Sequence, residues 1–288
     1  MKKYVIKIIE DCLEKEMQVD QEWNRLLSNI QPPKVKKSKL NIILFQFSKY
    51  AAAIFLGVLI TATFFNWAKE SKNNDAVYEV ITAKGERSHV KLTDGTSVRI
   101  NSCSILKFAK SYALSNRNVY LEGEAYFEVA KNKDMPFIVK VNGADVKAIG
   151  TAFNVSAYKD DNELRITLFN GKVKVQPTLT KQEVLLKPEQ VATYNKMNNN
   201  IEVKDYNSRI DAQWLNNYLS FERMYLQDIT KILERNYNVC FHYENQKVKK
   251  LRFNGSFKTD ADLSEILQII QTNTGIKYEF KRDSIIIK

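Results

Sequence analysis

Apolar residues within residues 1–30 recur every three or four positions, which predicts helices with one apolar face. One apolar stripe comprises Val5, Ile8, Ile9, Cys12 and Leu13, and the next comprises Trp23, Leu26, Leu27 and Ile30. Between the stripes, Asp20 has a side chain typical of a helix N-cap, and Pro32-Pro33 would end a helix. The pattern therefore predicts two short helices, which are too small to bury a core of their own.

The next pattern is an uncharged, mostly apolar run from Tyr50 to Ala68. About 20 apolar residues in a helix span the hydrocarbon core of a bilayer. Tyr50 and Trp67 suit the two membrane interfaces, and Lys49 could extend to the lipid headgroups. We therefore predict a transmembrane helix over residues 49–68, in preference to a buried core helix or a signal peptide.

Charge flanking this run predicts its orientation. Four lysines precede it, with Lys49 as a fifth, whereas the other flank mixes both signs. These four are Lys34, Lys36, Lys37 and Lys39. Because cytoplasmic flanks carry an excess of Lys and Arg, residues 1–48 are expected in the cytoplasm and residues 69–288 outside it.

Residues 77–205 change to short runs in which apolar and polar residues alternate, and this period of two is typical of half-buried strands. The clearest runs are His89–Leu92, Ser97–Ile100, Asn118–Leu121, Phe137–Val141, Leu164–Leu168 and Lys172–Val175. Asp94-Gly95 and Asn170-Gly171 each lie between two runs, which predicts two hairpins. An all-β sandwich, roll or solenoid is expected here.

Residues 210–288 mix the two periods. The expected elements are strands at Trp214–Phe221, Val239–Tyr243, Leu251–Phe257, Lys277–Phe280 and Ser284–Ile287, with helices over 225–236 and after Asp262. Asp262 would cap the second helix, with Glu265 three residues later. The predicted order is βαββαβ, a small α+β domain with its helices on one face of a sheet.

Composition excludes several classes of function. The net charge is +11, but the charges are spread along the chain, which disfavours direct nucleic-acid binding. Three cysteines and two histidines offer no disulfide framework or metal spacing. Cys103 and Cys240 would lie in an oxidising compartment, where a bridge is possible but not implied. The sequence has no phosphate loop, His-based triad or metal cluster, so we expect neither an enzyme nor a cofactor.

Three carboxylates, Glu122, Glu124 and Glu128, lie on one face of a predicted strand. Paired carboxylates can perform acid–base chemistry, but no partner base or pocket accompanies them in the sequence. We interpret them as a solvated or salt-bridged face.

Five segments of the β region follow one another in a recognisable order: GERSHVKLTDGTSVRINS (Gly85–Ser102), RNVYLEGEAYFEVAK (Arg117–Lys131), PFIVKV (Pro136–Val141), IGTAFNVSAY (Ile149–Tyr158) and LFNGKVKV (Leu168–Val175). Together they resemble the FecR family of bacterial membrane-bound sigma-factor regulators. The resemblance covers about a hundred residues. The C-terminal pattern resembles the small signalling domain of TonB-dependent receptors and secretins, and the extra domain of FecR proteins in the Bacteroides group.

The resemblance implies a single-pass inner-membrane anti-sigma factor with a periplasmic C-terminus. Its partners would be an extracytoplasmic-function sigma factor and the signalling domain of a TonB-dependent receptor, in iron or glycan uptake. Sigma binding would fall on Trp23, Leu26, Leu27 and Ile30. The chain departs from the family in its cytoplasmic segment, which is shorter than is typical. Docking of the receptor domain on the last strand, Ser284–Lys288, would require that strand to lie at a sheet edge.

Some FecR proteins cleave themselves between Gly and Thr of a G-T-x-F-x-V motif, and the matching pair here is Gly150-Thr151. The Thr151 hydroxyl would attack the Gly150 carbonyl carbon, which needs strain or a nearby base. The alternative is an ordinary tight turn into a strand. At the level of the whole chain, the alternative function is a periplasmic glycan sensor or envelope scaffold that binds no sigma factor.

Overall fold

The computed structural model describes residues 2–30, 54–63, 76–180, 182–282 and 284–288. The chain divides into two compact units, Met1–Asn73 and Asn74–Lys288. Each unit is described by itself below.

The described N-terminal part of the first unit is one helix, α1 (Lys2–Asn29), and not the two short helices that were predicted. Asp20 lies inside this helix and does not cap a second one. No Gly or Pro interrupts residues 2–29, so the backbone hydrogen bonds can continue past Asp20. The prediction of a helix N-cap at Asp20 was therefore wrong, while the prediction of helical structure from the apolar period was confirmed.

Residues 54–63, inside the predicted membrane span, are also helical. The rest of that span lies outside the described residues, as do Lys49, Tyr50 and Trp67. Within the parts of the chain that are described, no helix combines the length and apolar character needed to cross a membrane.

Thirteen strands follow between Val77 and Asp205, which confirms the expectation of an all-β region. They are β1 (Val77–Ile81), β2 (Ser88–Lys91), β3 (Ser97–Ile100), β4 (Ile105–Ala109), β5 (Arg117–Glu128), β6 (Phe137–Val141), β7 (Ala144–Ala148), β8 (Ala152–Ala157), β9 (Glu163–Asn170), β10 (Val173–Pro177), β11 (Val184–Leu186), β12 (Gln190–Asn195) and β13 (Asn200–Asp205). The first sheet has the order β1-β4-β5-β6-β7-β10-β11, and the second has β2-β3-β5-β8-β9-β12-β13.

The long strand β5 belongs to both sheets. Its first half pairs with β4 and β6, and its second half pairs with β3 and β8. Gly123 lies between the halves with φ of 103°, where a Cβ would collide with Ser104. Alternate residues of β5 point into one core, where Phe127 packs against Phe137 and Phe153. The two sheets therefore enclose a single hydrophobic core, as in a sandwich.

One of the two predicted hairpins was confirmed and the other was wrong. The Asp94-Gly95 turn joins the antiparallel pair β2 and β3, and Arg117 Nε donates to Asp94 Oδ2 at 2.7 Å. Asn170-Gly171 instead carries the chain from the second sheet to the first. Its two strands cannot pair because β8 and β12 already occupy both sides of β9.

The C-terminal elements are β14 (Tyr218–Tyr225), α2 (Leu226–Tyr237), β15 (Cys240–Tyr243), β16 (Arg252–Lys258), α3 (Leu263–Thr274), β17 (Tyr278–Lys281) and β18 (Ser284–Ile287). All five predicted strands and both helices are present, so the order is βαββαββ, with one strand more than the predicted order βαββαβ. Strand β14 begins later than expected because Trp214 lies in a 3-10 helix (Gln213–Asn216) whose C-cap residue, Asn217, has φ of 63°. Asp262 caps α3 as predicted, accepting from the backbone N–H of Ser264 at 2.8 Å.

These strands form two small sheets, β14-β16 and β15-β18-β17, where one sheet was predicted. The last strand, β18, is the middle strand of its sheet, parallel to β15 and antiparallel to β17. Its placement at an edge was therefore wrong. Burial explains the difference, because Ile285 and Ile287 both lie in the core of this domain.

Candidate functional site

The apolar face of α1 is the first candidate site. Trp23, Leu26, Leu27 and Ile30 are between 52% and 69% exposed. The exposed stripe continues along the helix through Ile9, Leu13 and Met17. Burying one such side chain against a partner contributes about 1.5–3 kcal/mol. This face can therefore supply a large part of the binding free energy of a helix-in-groove contact.

The charges at the ends of α1 do not stabilise this helix. Its first turn contains no acidic residue and its last turn no basic residue, so the helix dipole is not compensated by charge. Most helical stability in proteins comes from packing of the apolar face. We therefore expect α1 to become more stable when that face is covered.

The second candidate site is the junction between the β-sandwich and the C-terminal domain. Arg235, in the last turn of α2, binds Asp161 through both Nη atoms (2.7 and 3.1 Å) and Asp160 through Nη2 (2.9 Å). Its guanidinium lies 3.6 Å from the centroid of the Tyr158 ring. Lys231, one turn earlier, donates to the Asp160 carbonyl at 2.6 Å and to Asp161 Oδ1 at 3.2 Å. Two cationic side chains of α2 thus bind the Asp160-Asp161 turn of the β-sandwich.

Charge and burial at this junction shift several pKa values. Burial alone would raise the pKa of Asp160, but Arg235 outweighs it and the pKa falls below its usual value. Burial opposes the charge of Arg235, yet Asp161 and Asp160 raise the pKa of the guanidinium. Burial also raises the pKa of Tyr158, so the ring beneath Arg235 stays neutral. The ion pairs are consequently maintained throughout the neutral pH range.

A second set of contacts joins the same two domains through Arg87. Its Nη1 donates to the Trp214 carbonyl (2.8 Å) and to Asn217 Oδ1 (2.9 Å), and its guanidinium lies over the Trp214 ring at 5.7 Å. The backbone N–H of Gly85 donates to the Arg235 carbonyl at 2.8 Å. The two domains are therefore joined at two places, and rotation of one domain against the other would break contacts at one of them.

Glu124 belongs to this second set, which corrects its interpretation as a solvated or salt-bridged carboxylate. It accepts from Asn101 Nδ2 (2.7 Å) and Asn154 Nδ2 (2.8 Å), and Arg87 Nε donates to Asn101 Oδ1 (3.1 Å). Among the described residues it forms no ion pair within salt-bridge distance. Burial raises its pKa, although both amide hydrogen bonds lower it. Glu122 and Glu128 are exposed, as expected.

Comparisons with known proteins follow the same two parts. The model of the family described as FecR protein matches residues 78–174, and that of the FecR C-terminal domain matches residues 218–287. Two crystal structures of a candidate anti-sigma factor from Parabacteroides distasonis, at 1.65 and 2.50 Å resolution, are each 30% identical with a TM-score of 0.69. They cover 73% and 74% of this chain, and 98% of each of those chains is covered.

This chain belongs to the FecR family. The family predicted from the five sequence segments is thus confirmed. No curated protein gave a significant match. We use "FecR domain" for the β-sandwich (β1–β13) and "FecR C-terminal domain" for β14–β18 with α2 and α3.

Gly150-Thr151 immediately precedes β8 of the FecR domain. Gly150 has φ of 65°, and the Thr151 carbonyl accepts from the Val129 N–H at 2.9 Å. The Thr151 hydroxyl is buried and has no hydrogen-bond partner. Among the described residues no base lies at hydrogen-bond distance to activate it, and the local geometry is that of a tight turn into a strand.

Self-cleavage at this bond stays a prediction, and a gel can test it. Two fragments from purified full-length chain, absent from a Thr151→Ala variant, would establish cleavage. A single band for both chains after prolonged incubation would exclude self-cleavage.

The junction residues of the FecR C-terminal domain were not predicted from the sequence. Arg235 is nine-tenths buried, although only the apolar stripe of its helix was predicted to face inward. The only local signal was the adjacent pair Asp160-Asp161 after Tyr158, which offers two carboxylates beside an aromatic ring. No spacing in the sequence connects that turn to α2.

Proposed function

We propose that this chain is a single-pass anti-sigma factor that relays a signal from a TonB-dependent outer-membrane receptor to an extracytoplasmic-function sigma factor. The observation that carries the proposal is the exposed apolar face of α1 in a chain of the FecR family. The structural neighbour described as a candidate anti-sigma factor supports the same class of function. The role is regulatory and requires no catalysis.

The proposed location is the bacterial inner membrane. Residues 50–68 are uncharged, and lysines are concentrated before them, which favours a cytoplasmic α1 and a periplasmic FecR domain. Alkaline phosphatase, which is active only outside the cytoplasm, can test this orientation when it is fused after residue 30 or after residue 76. Activity of the second fusion alone supports the proposal, and activity of the first overturns it.

In the proposed relay, the receptor contacts the FecR C-terminal domain and the sigma factor binds α1. The Arg235 and Arg87 contacts favour transmission, because a displaced C-terminal domain would pull on the turn at Asp160-Asp161 and on Gly85. Strand β1 follows residue 76 and, among the described strands, pairs only with β4 at the edge of the first sheet. It is the element of the FecR domain nearest in sequence to the proposed span.

The decisive experiment is affinity capture of the tagged full-length chain from its native host. A sigma factor identified by mass spectrometry should be recovered with the wild-type chain and lost with Trp23→Ala and Leu27→Ala. Gln21→Ala is the matched control, because Gln21 is exposed on the same helix but lies off the apolar stripe. Failure to recover any sigma factor with an intact chain would refute the proposal and leave α1 as an anchor.

A further inference from the structure

Both cysteines of the second unit line one cavity. The cavity has a volume of about 240 Å³ and lies at the junction of the FecR domain and the FecR C-terminal domain. Cys103 reaches it from the FecR domain and Cys240 from the C-terminal domain, beside the same Tyr158, Asp160 and Arg235 that hold the junction. Both are free thiols in this structure.

The local structure does not account for the presence of a cysteine at either position. Cys103 has φ of 54°, a left-handed conformation that Gly and Asn adopt more readily than Cys. Cys240 is exposed at the first position of β15, although free cysteine is among the most buried residue types. Two unusual cysteines facing one cavity indicate a shared role.

The chain path brings both cysteines to the last turn of α2. The Sγ of Cys103 lies 3.9 Å from the Arg235 carbonyl, at the end of α2. Asn238 then turns the chain with φ of 51°, and the Phe241 N–H donates to Glu234 Oε1 at 2.6 Å. This hydrogen bond holds the start of β15 against the last turn of α2, and Cys240 lines the same cavity as Cys103 and Arg235.

We propose that Cys103 and Cys240 form a disulfide that covalently links the FecR domain to its C-terminal domain. The oxidant is a disulfide, such as oxidised glutathione or an oxidised dithiol protein of the compartment proposed above. Such a bond would add a covalent link to a junction that Arg235 and Arg87 hold by non-covalent contacts. It would make the relay between the two domains dependent on redox conditions.

The reaction proceeds by two exchanges. The thiolate of the exposed Cys240 attacks oxidised glutathione, forming a mixed disulfide and releasing one glutathione thiolate. The thiolate of Cys103 then attacks the Cys240 sulfur, which forms the protein disulfide and releases the second glutathione. The two protein thiols lose two protons and two electrons, and glutathione gains both. Burial raises the pKa of Cys103, which favours Cys240 as the first thiol to react.

The test uses the full-length chain in detergent micelles with Cys12→Ser, so that the two thiols in question are the only ones left. After incubation with oxidised glutathione, titration of free thiols should fall from two per chain to none. Peptide mapping should recover the peptides of Cys103 and Cys240 joined to each other within one chain. The assay does not depend on sigma binding or on membrane orientation, so its outcome is separate from that of the proposed function.

Matched variants define the contrary results. Cys103→Ser and Cys240→Ser should each give no internal crosslink and, at most, one glutathione adduct. In the oxidised parent chain, a glutathione adduct on Cys240 with a free Cys103 would show that the thiols do not meet and would overturn the proposal. Two free thiols, or a crosslink between chains only, would also overturn it.

Thermal unfolding provides a second readout. The linked form should unfold at a temperature roughly 5 to 15 °C above that of its reduced form. Reduction should remove the difference, and neither serine variant should show it. An unchanged unfolding temperature despite a mapped bond would contradict the proposed bracing of the junction.

Discussion

Helices α1 and α2 have the same kind of amphipathic pattern and opposite environments. In α2, the apolar residues Leu226, Ile229 and Leu233 are at most 1% exposed, because the sheets of the FecR C-terminal domain cover them. In α1, Trp23 and Leu27 are more than half exposed. The pattern therefore predicts a face that must be covered, but it does not say whether the same chain or a partner covers it.

The largest test of this contrast is Leu233→Ala in α2. Removing a fully buried leucine leaves a cavity and should lower the free energy of unfolding of the C-terminal domain by about 2–5 kcal/mol. Urea unfolding of the full-length chain, followed by hydrogen exchange of the second unit, measures the change.

The matched substitution is Leu27→Ala in α1. It should leave the stability of the second unit unchanged within about 0.5 kcal/mol and should weaken sigma binding instead. Equal destabilisation by the two substitutions would mean that α1 is covered within its own chain, and the contrast would fail.

Gly123→Ala extends the comparison to the backbone. The added Cβ would meet Ser104 and take a left-handed φ, so we expect a loss of about 2–4 kcal/mol in the free energy of unfolding. Gly275→Ala separates the two causes, because Gly275 has φ of 76° with no atom within 4 Å of its Cβ position. It should cost only about 1 kcal/mol. Similar losses at both positions would show that the close approach to Ser104 is not limiting.

Arg235→Gln tests whether the polar end of α2 is as firmly paired as its apolar face. Loss of the charge-assisted hydrogen bonds to Asp160 and Asp161 should cost about 2 kcal/mol. It should also speed hydrogen exchange at the Gly85 amide, which donates to the Arg235 carbonyl. Lys231→Gln, on the same helix and more exposed, should have a weaker effect. Unchanged exchange at Gly85 would show that the junction holds without the ion pairs.

The smallest expected effect is a pH dependence at Glu124. Its pKa is raised in the folded chain by burial, so the folded state keeps this proton at a pH where the unfolded state has lost it. The resulting stabilisation is complete below the ordinary pKa of 4.5 and is lost as the pH rises through the folded value. Glu124→Gln cannot titrate and should lack this loss.

Unfolding measured between pH 4 and 8 provides the comparison. The wild-type chain should lose stability relative to Glu124→Gln as the pH rises, and Glu122→Gln serves as the control because Glu122 is exposed on the same strand. Parallel curves for wild type and Glu124→Gln would contradict the raised pKa.

Local features of this chain were predictable from its sequence. The Asp94-Gly95 hairpin and the Asp262 cap each depend on residues two or three positions apart, and the strand alternation of β5 depends only on its own residues. Strong local preferences of this kind survive in the folded chain.

The errors came from features that depend on distant residues. The turn at Asn170-Gly171 has hairpin chemistry, but the flanking strands pair with other partners. The central position of β18 and the burial of Glu124 and Arg235 are likewise set by elements far away in the sequence. The exposed α1 residues were predicted as a binding face, and that role stays a prediction.

The shared strand β5 also bears on how the FecR domain would behave if its backbone were cut. All residues of β8 (Ala152–Ala157) pair with β5, and residues 152–156 also pair with β9. A break between Gly150 and Thr151 would leave both fragments with one common core and intact ladders. The broken chain should therefore migrate as one particle in native separation and as two only after denaturation. The two fragments could separate only after the hydrogen-bond ladder between β8 and β5 had been broken.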